Sequence, residues 1–479
     1  METEGRPACR GNPRTQENAT TVSAENCATT GGNKGLGANG RGKKNALAPA
    51  AGGNLVDLAE ARQVRTLCVL LVLQAVVSFR SIPRILDLLR TQALLCVSWV
   101  PHFTSVINWT LRVGLGLLRQ VAPIDPPWVA IIDHSIDVGT KKALVVLRVP
   151  LAALSQRGAA IQLGDCECVG LSVAETVNGE TVALQLQAIF QRSGTPAAIT
   201  KDCDATLQKG VRLWMENAHL TVPVIEDIGH VLAAALKAQF EQTSDYQRFT
   251  SLASKAAKAL RQTELAFLIP PKLRSKGRFL SIGKLARWGE KMLGVLAVKG
   301  RARKGSPLAK LRAALPRFLT LRAFVATFAA TAVTLSQVME ILKHKGLHRS
   351  TYEQCCRLAE QLPANSIVKH RLRAWLSRHI AIQRQLTSLP LVVSSDIVES
   401  LFGNFKHILE RSPQADMNRT ALLIPALCGH PDAATLSNAL VHARQGDLAT
   451  WEQEHIPYTM RKKRQAFFAD DQSQKVGNS

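Results

Sequence analysis

The spacing of hydrophobic and polar positions changes character several times along the chain. Residues 1–55 are rich in Gly, Asn, Ala and Thr and hold almost no large apolar side chains. Such a segment cannot offset the entropy of ordering, so it is expected to be disordered. Over 56–122 the pattern becomes helical. Leu67–Val77 (LCVLLVLQAVV) reads as a buried core helix. Arg84–Arg90 follows the turn Ser78–Pro83, and Val106–Leu118 is opened by Pro101–Ser105. These last two helices fit a helix-turn-helix, with an ordinary helical bundle as the alternative.

Between 123 and 245 the period shifts toward strands. After Pro123, Pro126 and Pro127, the run Trp128–Asp133 (WVAIID) reads as a buried strand ending in a carboxylate. Ala143–Val149 completes a hairpin with it across a turn holding Gly139, and Val169–Val173 is a third strand. Glu180–Arg192 is helical, Ala197–Thr200 is a short strand leading to Asp202 and Asp204, and Asp227–Phe240 is an amphipathic helix. Residues 246–389 read as all-helical, interrupted at Pro270-Pro271 and Gly300–Ser306. Within 390–411, Leu391–Asp396 leads into a helix over Ile397–Glu410. The remainder, 412–479, has helical stretches, a basic end at Arg461–Arg464 and a polar tail. The pattern thus predicts an α/β chain: strands gathered in 123–245, a large helical insertion, and an N-terminal helical domain.

Charge narrows the partner. Sixty Lys and Arg face 36 Asp and Glu, for a net charge of +24 over 479 residues. That balance argues for a polyanion, either nucleic acid or an anionic membrane surface. The membrane is the weaker option, because a span needs about 20 apolar residues and Leu67–Val77 is bracketed by Arg65 and Arg80. The first residues contain no apolar stretch, so no secretory signal is expected. Arg248–Arg312 holds 17 Lys and Arg against Glu264 and Glu290 alone. That excess favours a DNA-backbone contact over a merely solvated face; Arg274, Lys276, Arg278, Arg301, Arg303 and Lys304 are the candidates. The ten cysteines are scattered without paired CxxC or HxxxH spacing, so reduced, mostly buried thiols of a cytosolic protein are expected rather than a zinc site. Trp288 and Trp375 are read as core, with stacking on bases as the other option.

Three acids stand out by context. Asp133 ends the first strand, Asp202 directly follows a later strand, and Glu399 lies on the helix after the insertion. Asp204 is the spare for the second position, and Asp396, at the helix start, reads as a cap or support. Two strand-end acids and a helical one form the set an RNase H-like sheet gathers. In-line displacement at phosphodiesters uses two divalent ions roughly 3.5–4 Å apart, and hard ions take carboxylate oxygen.

The local sequences resemble the DDE transposases of bacterial insertion sequences. Ile132-Asp133-His134-Ser135, followed by Gly139-Thr140-Lys141-Lys142, resembles their first-Asp hairpin. Ile199-Thr200-Lys201-Asp202-Cys203-Asp204 resembles their second-Asp turn, and Asp227-Ile228-Gly229-His230 resembles their Asp-x-x-His motif. Ser395-Asp396-Ile397-Val398-Glu399, running on to Lys406, resembles their Glu-bearing helix. The Tyr and Arg usual upstream of that Glu are absent, and Ser395 stands where the Arg would be. The resemblance spans about residues 60–465 and implies an RNase H-like mixed sheet. It implies Asp133, Asp202 and Glu399 as catalytic ligands of two Mg²⁺, with Mn²⁺ as a substitute. Lys406 would contact phosphate, and Asp204, Asp227, His230 and Asp396 would support the site. It further implies double-stranded DNA as partner (terminal inverted repeats and target), a homo-oligomer on DNA, and a place at the bacterial nucleoid in the cytoplasm. A non-catalytic DNA-binding protein and a nuclease that cuts without joining are the alternatives.

Overall fold

The computed structural model describes residues 57–58, 61–97, 99–138, 141–157, 159–174, 177–272, 282–386, 390–409, 418–456 and 465–466. The expected disordered segment 1–55, the residues Arg274, Lys276 and Arg278, and the basic end 461–464 lie outside the described residues.

In chain order, a two-residue parallel pair, β1 (Asp57–Leu58) and β2 (Cys96–Val97), brackets α1 (Ala61–Leu73) and α2 (Ser81–Thr91). Then come α3 (Phe103–Arg119), β3 (Trp128–Val138), β4 (Lys141–Pro150), α4 (Leu151–Arg157) and β5 (Glu167–Ala174). These are followed by α5 (Gly179–Ser193), β6 (Ala198–Lys201), α6 (Ala205–Ala218), β7 (Val224–Glu226) and α7 (Ile228–Phe240). The insertion comprises α8 (Ser244–Leu260), α9 (Ile282–Leu296), α10 (Pro307–Ala314), α11 (Arg322–Lys345), α12 (Arg349–Glu360) and α13 (Ile367–Leu386). The chain then adds α14 (Asp396–Leu409), α15 (Leu423–Ala426), α16 (Ala433–His442) and α17 (Gln445–His455).

The larger sheet is mixed, in the order β5-β4-β3-β6-β7. β3, β4 and β5 pair antiparallel, whereas β6 and β7 continue parallel from β3. Strand alternation divides its side chains between two cores. Trp128, Ala130 and Ile132 face α5 and α6, packing on Leu186, Phe190 and Trp214. Ile131, Val145 and Leu147 face the opposite way, toward α3, α14 and the C-terminal helices. β3 does not stop at Asp133, as the hydrophobic run suggested. It continues to Val138 through a register shift against β4 between Asp133 and Ile136. Polar residues end an apolar run without ending the backbone ladder, which is why the strand reads short.

The N-terminal helices share one core with α14 to α17. α3 is the helix a helix-turn-helix would present to a groove, and here most of its length is packed inside. Val106, Leu111, Val113, Leu115 and Leu118 are buried, and a Cβ on Gly114 or Gly116 would fall 1.7 Å from the Leu422 carbonyl oxygen or 2.0 Å from that of Ala439. The connection from α2 also carries β2, far longer than the 3–4-residue turn of that motif. Because backbone on the partner elements blocks the space, Gly116→Val should destabilise by at least the about 1–3 kcal/mol typical of overpacking, read as a lower thermal midpoint with a Gly116→Ser variant in between.

The insertion shares one core with α7 and with Val129, Ala198 and Ile225 of the sheet, in which Phe249, Trp288, Phe318 and Phe328 meet around α11. α11 with its preceding turn is long and apolar enough to cross a membrane. Its Phe328, Ala332, Leu335, Val338 and Leu342 are nonetheless buried among the neighbouring helices. Both tryptophans in question are core residues: Trp288 Nε1 donates to the Leu268 carbonyl at 2.9 Å, and Trp375 Nε1 donates to that of Glu226 at 2.9 Å.

That second bond is half of a clamp on the end of β7. His379, fully buried and stacked on Trp375, accepts the Glu226 N–H on Nε2 at 3.1 Å, while Nδ1 faces the Trp375 carbonyl at 2.8 Å. The proton must therefore sit on Nδ1. Burial, together with nearby Arg378, lowers the His379 pKa from 6.5, against the Trp375 carbonyl and Glu226. A histidine depressed in the fold contributes stability that is present above its unfolded pKa of about 6.5 and lost as pH falls through the folded value. Thermal denaturation between pH 8 and pH 5 should show this acid-side loss, and His379→Gln should flatten it.

Candidate active site

The strand registers bring three acids into one row. The last paired row of the parallel strands is Ile132, Lys201 and Glu226. One residue further on stand Asp133, Asp202 and Asp227, at adjacent positions on β3 and just past β6 and β7. The Asp227 N–H extends the ladder by donating to the Lys201 carbonyl at 2.8 Å. Asp133 is buried and, two residues after Ile131 on the same strand, lies on the α14 side of the sheet. Thr200, two residues before Asp202, sends its hydroxyl to the Val392 carbonyl at 3.0 Å, just ahead of α14.

Asp202 and Asp204 have different tasks. Asp204 caps α6, its Oδ1 accepting the N–H groups of Thr206 at 2.7 Å and Leu207 at 3.1 Å, and it also meets His134 Nε2 at 3.1 Å. Burial works against ionisation of Asp204, but the backbone donors and His134 hold its pKa below the usual 3.8. Asp202 is half-buried, and its Oδ1 accepts the Asp204 N–H at 3.0 Å. It therefore keeps oxygen capacity that Asp204 has spent on its helix.

Asp227 is the best-satisfied acid of the row. Only 1% exposed, it caps α7, its Oδ1 accepting the His230 N–H at 2.9 Å and facing His230 Nδ1 at 3.3 Å. Its Oδ2 accepts both the N–H and the hydroxyl of Ser395, at 2.6 and 2.9 Å. Burial alone would raise its pKa; the bonds from His230 and Ser395 outweigh burial and hold it at about 2. The hydrogen bond to Asp227 raises His230 to about 9 despite burial, and the charges of Asp227, Asp202 and Glu399 add to the rise. His230 is thus a cation at neutral pH, standing where it feels acids from both the sheet and α14.

α14 lays Val398, Leu401, Phe402 and Phe405 into the core and leaves Glu399 and Lys406 on its exposed side, two turns apart. Asp396, its first residue, pairs with Lys343 of α11. Asp227, His230, Lys343, Asp396 and Glu399 line one side of a cleft of about 680 Å³ whose other wall is Leu232, Leu236, Leu335 and Met339. Asp133, Asp202, Lys406, Arg301, Arg303 and Lys304 do not line it. The last three are exposed in the connection between α9 and α10. Arg312 holds that connection through the carbonyls of Gly300 at 2.8 Å and Val298 at 2.5 Å.

Sequence reasoning missed Lys343 and the role of Ser395. No local spacing joins residue 343 to 396, or 395 to 227. The missing upstream Arg was the one available pointer to Ser395. The cysteines are free thiols among the described residues. Burial pushes Cys166 and Cys168 up to about 12, so they stay protonated at neutral pH.

The donor set suits a hard cation, since it offers carboxylate oxygens from two adjacent strands and a facing helix. Among the described residues, no three His, Cys, Asp or Glu groups stand close enough to ligate one ion. Binding would therefore require the side chains, the exposed Glu399 first, to rotate inward.

No family model matches the chain, and no curated protein matches it. Among solved structures, the chain is similar to one described as the Drosophila P element transposase strand transfer complex, at 10% identity and a TM-score of 0.42, over 80% of this chain and 94% of that one. A likeness this distant assigns no role to any residue.

Proposed function

We propose that this chain is a DDE-type transposase that binds the terminal inverted repeats of its element and catalyses metal-dependent DNA cleavage and strand transfer. The observation that carries the reading is the row of Asp133, Asp202 and Asp227, faced by α14 with Glu399 and joined to the start of that helix through the Asp227–Ser395 hydrogen bonds. The mixed sheet order, three antiparallel strands continued by two parallel ones, supports an RNase H-like core. Net charge supports a DNA partner.

In this reading Asp133, Asp202 and Glu399 would hold two Mg²⁺, with Mn²⁺ as a substitute. Bound there, the ions supply Lewis acidity and lower the pKa of an attacking water or 3′-hydroxyl. Asp227 fixes the start of α14 through Ser395, so it orients the helix that carries Glu399. His230, cationic and beside Asp202 and Glu399, offsets negative charge where a phosphate would approach. Lys406 and the basic insertion hold the DNA backbone. A homo-oligomer on DNA would follow from working on two element ends, and a nucleoid location in the bacterial cytoplasm is what the resemblance to insertion-sequence transposases implies.

The test is nicking and joining of DNA carrying the element ends, with and without Mg²⁺. Joined products from pre-cleaved 3′-hydroxyl ends are expected; cutting without joining would identify a nuclease. The absence of a closed three-ligand cluster among the described residues favours a second reading, a basic DNA-binding protein without chemistry. Bound but uncut DNA in Mg²⁺ would select it. Replacing Arg301, Arg303 and Lys304 together by Gln should flatten the dependence of log affinity on log salt by about 0.9 for each phosphate no longer neutralised. Fluorescence anisotropy across a salt series measures it, and an unchanged slope would remove this loop from the DNA surface.

A further inference from the structure

The backbone around Asp133 is held less firmly by the sheet than its burial suggests. Pairing of β3 with β6 ends at Ile132 and Lys201, and pairing with β4 is irregular from Asp133 to Ile136. His134 lies in this interval. As the next residue along the strand, it faces the side opposite Asp133, and it is 5% exposed. Its Nε2 meets Asp204 Oδ1 at 3.1 Å. Asp204 is itself anchored by the α6 N–H groups, and its own N–H donates to Asp202 Oδ1 at 3.0 Å. One path of hydrogen bonds therefore runs from the residue beside Asp133 to the carboxylate of Asp202.

We propose that His134 and Asp204 form a positioning latch that sets the distance between Asp133 and Asp202 and so the affinity of the site for divalent cations. The inference rests on the transposase reading, because it takes those two acids as metal ligands. Neither latch residue touches the ion. Ladder hydrogen bonds are irregular where β3 passes the end of β6, and the side-chain bond supplies the registration there. His134→Phe keeps the buried volume and removes the donor, whereas His134→Gln returns an amide N–H at similar reach.

The experiment titrates full-length protein with Mn²⁺, following free Mn²⁺ by electron paramagnetic resonance, alongside thermal midpoint and DNA affinity. His134→Phe should weaken Mn²⁺ binding by about 10-fold or more, as loss of an outer partner of a metal site does, with DNA affinity unchanged. His134→Gln should restore most of the loss. Equal Mn²⁺ affinity in wild type and His134→Phe, or a Gln variant no better than Phe, would overturn the latch while leaving the transposase reading intact. Wild-type protein that binds no Mn²⁺, or binds it equally after Asp133→Asn, would overturn both. Where His134→Phe does not fold, Asp204→Ser carries the same test, because Ser still caps α6 but is a shorter acceptor for His134.

Discussion

Glu399→Gln lowers Mg²⁺-dependent cleavage of element-end DNA by about 10³-fold, the scale set by removing one charged group from a transition-state clamp, and leaves DNA binding nearly unchanged. The amide keeps the size of the side chain and its place in the first turn of α14, so packing by Val398, Leu401 and Phe402 is undisturbed. What it loses is one carboxylate oxygen and the negative charge that His230 feels. Asp133→Asn and Asp202→Asn should behave alike, whereas Asp204→Asn should retain cleavage, because an amide oxygen can still cap α6. The readout is product formation on a denaturing gel beside an equilibrium binding curve. Equal products from wild type and Glu399→Gln would end the catalytic reading.

Asp227→Asn has the largest expected effect on stability, about 3–5 kcal/mol for a buried charge pair broken from one side. Two carboxylate oxygens receive three hydrogen bonds, from the His230 N–H on one and the Ser395 N–H and hydroxyl on the other, and the His230 ring pairs with the first oxygen across 3.3 Å. An amide offers one acceptor and turns an NH₂ group toward two of those donors. The pH dependence has a definite sign. His230, raised to about 9, contributes stability that is complete below its unfolded pKa of about 6.5 and lost as pH rises through 9. Asp227, held at about 2, contributes stability present above its unfolded value of about 3.9 and lost as pH falls through 2. The pair therefore stabilises most between about pH 4 and 6.5. In Asp227→Asn the alkaline loss should vanish and the His230 resonances should titrate near an ordinary histidine. Persistence of a His230 pKa near 9 in that variant would show that Asp227 is not its cause.

The parts of this fold legible in the sequence are those carried by local pattern. WVAIID and ALVVLRV announce β3 and β4 because buried strands leave continuous apolar runs, and DIGHVLAAALKAQF announces α7 because its face is periodic. β7 was not legible: Val224–Glu226 is three residues long and follows a proline, too short for any period to show. The burial of α3 was illegible for a different reason. Gly114 and Gly116 mark close approach, but the carbonyls they admit belong to Leu422 and Ala439, some three hundred positions away. At the candidate site, motif and spacing nominate Asp133, Asp202 and Glu399, while the row that aligns the first two depends on strand register. Ser395 and Lys343 enter only through long-range pairing, which leaves no local trace.

In the proposed site Asp133, Asp202 and Glu399 gather around shared divalent cations. Iron(II)-directed cleavage of the protein backbone tests it most directly: Fe²⁺ in place of Mg²⁺, with ascorbate and peroxide, cuts the chain where it passes the bound ion. Cuts clustered near residues 133, 202 and 399 in the same sample are expected, all suppressed by excess Mg²⁺ and by Asp133→Asn. Cuts confined to a single one of these segments, or scattered elsewhere and indifferent to Mg²⁺, would contradict it.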